Sequence, residues 1–97
     1  MNMIKQAQKM QADMARLQEE LGQREFEASA GGGAVKAIVT GGKQLKAVEI
    51  APAAVDPDDV EMLQDLVVAA VNEALRIADE TVSGEMGKLT GGMNLGF

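Results

Sequence analysis

A chain of 97 residues with no histidine and no cysteine lacks the raw material of most side-chain catalysis. Without those two residue types there is no His-activated nucleophile, no thiolate, and none of the nitrogen and sulfur ligands that zinc prefers. Carboxylates are the only groups left that could be tuned as a general base. Their densest set, Asp56-Pro57-Asp58-Asp59, invites a calcium-loop reading. Counted with Asp56 at the first ligand position, the obligatory glycine position holds Glu61 and the closing glutamate position holds Val67. The cluster therefore reads as the acidic start of a helix. Gly31-Gly32-Gly33 and Gly42-Lys43 suggest a phosphate cradle in turn. No helix follows the first, and Gln44 stands after Lys43 where a phosphate loop has Ser or Thr, so both read as turns. We expect no enzyme, metal, cofactor or small-molecule substrate.

Positive charge is the chemistry that remains, and it is local. At roughly 100° per residue, Lys5, Lys9 and Arg16 fall within about 40° of one another on a helix. The first twelve residues hold no acid, and Gln6, Gln8 and Gln11 lie among the lysines; Asp13, Glu19 and Glu20 crowd the other half. Such a stripe suits phosphate contact, although an ordinary solvated helix face has the same pattern. The whole chain carries a net charge of −6. Residues 1–23 are neutral, residues 24–51 carry +1 and residues 52–97 carry −7. The chain as a whole should be repelled by nucleic acid, so any contact has to be made by its N-terminal part.

The element that must present this stripe is a helix over about residues 2–21, with Gly22 placed to end it. Met3, Ala7, Met10, Met14, Leu17 and Leu21 form a narrow apolar seam on its other side, within about 80° of each other. At 1.5 Å per residue the helix is roughly 30 Å long, about the width of a small domain, so much of it can project. Six positions fall short of a sustained coiled coil, and the seam could pack on the chain's own sheet or on a second copy. Three short strands follow. Arg24–Ala30 alternates with Phe26, Ala28 and Ala30 on one face; Ala34–Thr40 shares Val35, Ala37 and Val39; Gln44–Ala51 shares Val48 and Ile50. The glycine turns between them predict an antiparallel meander. Leu45, Ala47 and Ile38 fall out of phase with a one-sided sheet.

After Pro52, Asp56 is the expected cap and Pro57 the first residue of a second helix. Val60, Leu63, Leu66, Val67, Ala70, Val71, Ala74, Ile77 and Ala78 give it a broad apolar face, ending near residues 82–84. A short helical turn at residues 85–89 and a flexible tail at 90–97 complete the reading. The domain is thus α+β, with a projecting helix (1–22), an antiparallel sheet (23–51), a helical part (56–89) and the tail. With two aromatics, Phe26 and Phe97, such a chain has a thin core that dimerisation would relieve. The absence of cysteine fits a reducing compartment, and no run reaches membrane-spanning length, so we expect a cytoplasmic protein with no membrane partner.

Several segments together resemble the YbaB/EbfC family of bacterial nucleoid-associated proteins. They are Ile4-Lys5-Gln6-Ala7-Gln8-Lys9-Met10-Gln11, Gly31-Gly32-Gly33 with Val35, the Leu66–Ala74 stretch, and Leu89-Thr90-Gly91-Gly92-Met93. The resemblance covers essentially the whole chain in order. It implies a tweezers-like homodimer whose first helices project as arms from a body of joined sheets and second helices. It also implies binding of double-stranded DNA with little sequence preference, acting on chromosome organisation and gene expression. Carried onto this sequence, the DNA-contacting regions hold Lys5, Gln6, Lys9, Arg16 and Lys88. Here the second contact region has Lys88 alone as a base, beside Glu80 and Glu85. The expected body or dimer interface holds Phe26, Val35, Val48, Ile50, Leu66 and Val67. The alternative is a dimeric protein-interaction module using the arm seam or the acidic second helix.

Overall fold

The structure, a computed structural model, describes residues 2–91. In chain order it contains α1 (Met3–Gln23), β1 (Glu25–Ala30), β2 (Val35–Thr40), β3 (Leu45–Ile50), a single 3-10 turn (Pro52–Ala54) and α2 (Val60–Gly91). The expected flexible tail lies, from residue 92 onward, outside the described residues.

The three strands form one antiparallel sheet in the order β1-β2-β3. The β1–β2 turn needs glycine: Gly31, Gly32 and Gly33 all have positive φ (64°, 68° and 97°), a run of left-handed backbone that side chains resist. Phe26 pairs with Val39, Ala28 with Ala37 and Ala30 with Val35, which sets the apolar face in register. On the other side of β2 the register slips by one residue. Ile38 pairs with Ala47 but Val39 pairs with Leu45, leaving Lys46 as the extra residue of a bulge. The bulge resolves part of the phase conflict seen in the sequence: it returns Leu45 to the face of Val48 and Ile50, while Ala47 and Ile38 stay on the outer face.

The helix α2 packs chiefly over β1 and β2. Its contact ridge is Ala70, Ala74 and Ala78, each fully buried against Phe26, Val35, Ala37 and Val39. Spacing of four residues stacks these methyls on one line, and their small size lets the helix axis approach the sheet closely. Leu63, Leu66, Val67, Val71, Leu75 and Ile77 flank the ridge and remain partly exposed.

Helix boundaries differ from expectation in three places. Gly22 does not end α1; the helix runs to Gln23 and turns into extended backbone at Arg24, whose N–H still bonds Glu20 O and Leu21 O. Asp56 does not cap α2. Its Oδ1 accepts from Asp58 N–H (2.9 Å) and its carbonyl from Asp59 N–H, closing a turn, and Asp59 Oδ1 then accepts from Met62 N–H (3.1 Å). The proline-containing segment is spent on that turn, so the helix starts three residues later. Finally, α2 does not break at 82–84, and residues 85–89 are not a separate turn. Val82, Met86 and Leu89, all half-buried, carry the apolar face past Gly84. The continuation pays because α1 lies beside it: Leu17 and Leu89 line one cleft.

Candidate nucleic-acid interface

The molecule is elongated, 70 × 25 × 16 Å, and the N-terminal half of α1 is its least covered helical segment. Every residue from Asn2 to Lys9 is exposed, including Met3 (82%) and Ile4 (69%). Asn2 starts the arm by accepting N–H bonds from Ile4 (3.0 Å) and Lys5 (3.3 Å) on its side-chain oxygen. That cap offsets the orphaned donors of the first turn and keeps Lys5 in helical geometry at the exposed end. Sequence reasoning passed over it, although Asn immediately before an apolar-periodic run is a recognisable start signal.

The first helix sorts its side chains as its periodicity predicts. Asn2, Lys5, Gln6 and Lys9 line one shallow depression. Met3, Ala7, Met10 and Met14 line another, apolar, with Gln6 and Gln11 at its edges. Gln6 therefore sits on the border between the cationic and apolar sides. The seam of α1 is buried only at the base of the helix, by Leu21 (5% exposed), and stays open towards Met3.

Ion pairing divides the basic residues into two classes. Arg16 Nη2 bonds Asp13 Oδ1 at 2.9 Å, and Lys88 Nζ lies 3.6 Å from Glu85 Oε1. Lys43 pairs with Asp79 (3.3 Å), Lys46 with Glu25, and Arg76 with Glu73 and Glu80. Hydrogen bonding from the Arg76 guanidinium holds the Glu73 carboxyl below the usual carboxylate range. The Arg24 guanidinium stands over the Phe26 ring, 5.2 Å from its centre, and is used structurally. Lys5, Lys9 and Lys36 have no acidic partner within salt-bridge distance among the described residues. Lys36 lies on the outer sheet face, opposite Ser29 and Glu49, away from the arm.

Thus Lys5, Gln6 and Lys9 come together on the open end of α1. Arg16 is carried to the cleft between α1 and the end of α2, where Asp13, Leu17, Glu20 and Leu89 also line the wall; Lys88 does not line it. Among the residues expected in the body or interface, Phe26 and Val35 are buried inside the single chain. Val48, Leu66 and Val67 are half-buried and Ile50 is 41% exposed. No group of three or more acidic side chains among the described residues could hold a metal ion, and no helix there is long and apolar enough to cross a membrane.

The chain is α+β, with an exposed, lysine-bearing helix attached to a three-stranded antiparallel sheet. The pattern of the YbaB/EbfC DNA-binding family matches residues 1–93, and the chain belongs to that family. A nucleoid-associated protein of Acetivibrio thermocellus is 64% identical over 92 residues, covering 95% of this chain and 81% of the relative. One from Alkaliphilus metalliredigens is 62% identical over 94 residues, covering 97% and 82%. The fold is shared with the crystal structure of uncharacterized protein HP0035 from Helicobacter pylori, at a TM-score of 0.76 and 18% identity, over 91% of this chain and 92% of that one.

Proposed function

We propose that the chain acts as a homodimer that grips duplex DNA between two α1 arms, with little sequence preference, in the cytoplasmic nucleoid. One observation carries the reading. The two basic residues nearest the open end of the arm, Lys5 and Lys9, are exposed and unpaired among the described residues, while Arg16 and Lys88 are held by acids. Unpaired lysines on a capped helix are phosphate contacts that position a protein without reading sequence. Gln6, on the border of the same surface, is the one arm residue here assigned to reach a base edge. The family's DNA-binding description and the relatives' naming as nucleoid-associated proteins support the partner, the location and a role in chromosome organisation and gene expression.

Dimerisation is supported by surface. The chain exposes 6797 Å², against about 5,300 Å² for a compact monomer of its mass. An ordinary interface removes about 800 Å² per partner. Leu45 (48%) and Ile50 (41%) on the edge strand β3, with Val60, Met62 and Val68 on α2, are exposed apolar groups that a second copy would cover.

The test is binding of a random-sequence duplex across a salt series. Four unpaired arm lysines per dimer predict a log–log slope of about −3.6, or roughly a 150-fold loss of affinity between 50 and 200 mM salt. Salt-independent binding, or no binding at 50 mM, would remove the reading.

A further inference from the structure

Gly41 stands where three elements meet: the base of α1, the β2–β3 turn and the side of α2. Its N–H donates to Arg24 O (2.9 Å), and the N–H of Gly42 donates to Gly22 O (3.2 Å), so the turn takes up carbonyls at the end of α1. The approach is close enough to exclude a side chain. A Cβ on Gly41 would lie 1.8 Å from the Leu21 carbonyl oxygen, 2.8 Å from its carbon and 3.2 Å from Val82 Cγ2. One residue on, a Cβ on Gly42 would meet Gly22 O at 3.5 Å and Thr40 Oγ1 at 3.6 Å, which is ordinary contact. Neither glycine has the left-handed backbone of Gly31–Gly33. Space, not backbone freedom, is what position 41 demands.

We infer that Gly41 is a positioning residue for DNA binding: its missing side chain sets the angle at which α1 leaves the body, and hence where Lys5 and Lys9 are presented. The inference rests on the arm reading above. Leu21 is buried at the base of α1, but two strands hold the turn on its other side and α1 is exposed from Asn2 to Lys9, so the free arm has room to swing. To reach even a tight contact of about 3.2 Å, Leu21 O must retreat by about 1.4 Å from its present 1.8 Å. The next support along α1 is the cleft shared by Leu17 and Leu89, about 6 Å away at 1.5 Å per residue. Pivoting there multiplies the shift about twofold at Gln8 and threefold at Lys5, to about 3 Å and 4 Å. A displacement of that size in both arms breaks simultaneous contact with a duplex. Loss of one phosphate contact in four costs about eightfold in affinity at 0.1 M salt.

The native chain has no cysteine, so spin labels at Gln8→Cys and Ser29→Cys report the arm-to-sheet distance cleanly. Labelled protein is diluted with unlabelled protein so that only distances within one protomer are read. Gly41→Ala should move the Gln8–Ser29 distance by about 3 Å and weaken random-duplex binding at least about eightfold, with cooperative melting retained. Gly42→Ala, which adds the same methyl one position along, should leave both unchanged. An unchanged distance in Gly41→Ala overturns the inference, as does loss of cooperative melting, because then the arm is not what yields. A shifted distance with parental DNA binding, while Lys5→Glu/Lys9→Glu destroys binding, overturns the positioning role alone. Parental binding in both variants overturns the arm reading with it.

Discussion

Asp13→Asn should turn a weak contact into a strong one. In the structure the Asp13 carboxylate takes the Arg16 guanidinium at 2.9 Å at the cleft beside Leu89, on the stripe that helical periodicity shares with Lys5 and Lys9. A phosphate approaching Arg16 therefore meets a pair already neutral. Removing the carboxylate's charge leaves the guanidinium free on each arm and raises the arm cations with no acidic partner among the described residues from four to six per dimer. With about 0.9 counterion released per neutralised phosphate, the salt slope should steepen from about −3.6 to about −5.4. Between 50 and 200 mM salt the loss of affinity should grow from about 150-fold to about 1,800-fold, with tighter binding than the parent at the low-salt end. The stability cost is small: exposed i,i+3 pairs contribute roughly 0.3–0.5 kcal/mol, or no more than about 4 °C in a domain of this size. Fluorescence anisotropy with a labelled random duplex, titrated at four or more salt concentrations, reads the slope directly. A slope that stays at the parental value would refute both the masking by Asp13 and the orientation of Arg16 towards DNA.

Other outcomes follow from the body. Light scattering should give twice the 10.2 kDa chain mass at micromolar concentration, and Leu45→Glu/Ile50→Glu should shift the protein towards monomer, since both side chains sit on the exposed edge strand. Asp59→Ala removes the N-cap bond to Met62 and should cost about 1 kcal/mol, seen as a melting decrease of about 4–8 °C. Asp56→Ala, which loses only the turn bond from Asp58 N–H, should cost less. Ala74→Leu forces a larger side chain against the fully buried sheet face and should destabilise by about 1–3 kcal/mol in a denaturant titration.

The sequence disclosed the elements whose periodicity is long or whose glycines have no substitute. The order of helix, three strands and helix could be read directly, and Gly31-Gly32-Gly33 was legible as a turn because three left-handed residues in a row admit little else. Ala70, Ala74 and Ala78 were legible as part of a broad apolar face, but that they form its contact ridge needed the fold. Boundaries were less legible, because they depend on neighbours. Gly22 looked like a stop signal, but α1 ends where Arg24 leads into β1 and where the N–H groups of Gly41 and Gly42 donate to the carbonyls of Arg24 and Gly22. The second helix continues through Gly84 because α1 lies alongside, a tertiary fact absent from local propensity. The bulge at Lys46 is likewise invisible in a strictly alternating reading. At the candidate site, the lysine stripe could be seen on one helix. The Arg16–Asp13 and Lys88–Glu85 pairs have i,i+3 spacing and could also have been anticipated, but Lys43–Asp79 and the closure at Gly41 join distant segments and needed the fold.

Replacing Lys5 and Lys9 together by glutamate tests the central claim most directly. Both side chains are exposed on the side of α1 opposite its apolar seam, so the folded dimer should survive with an unchanged melting temperature. Across a dimer four arm lysines become four anions, and binding of a random duplex at 50 mM salt should disappear. Binding like that of the parent at the same salt would contradict the account. The open seam of Met3, Ala7, Met10 and Met14, or the acidic second helix, would then have to be read as a surface for protein partners instead.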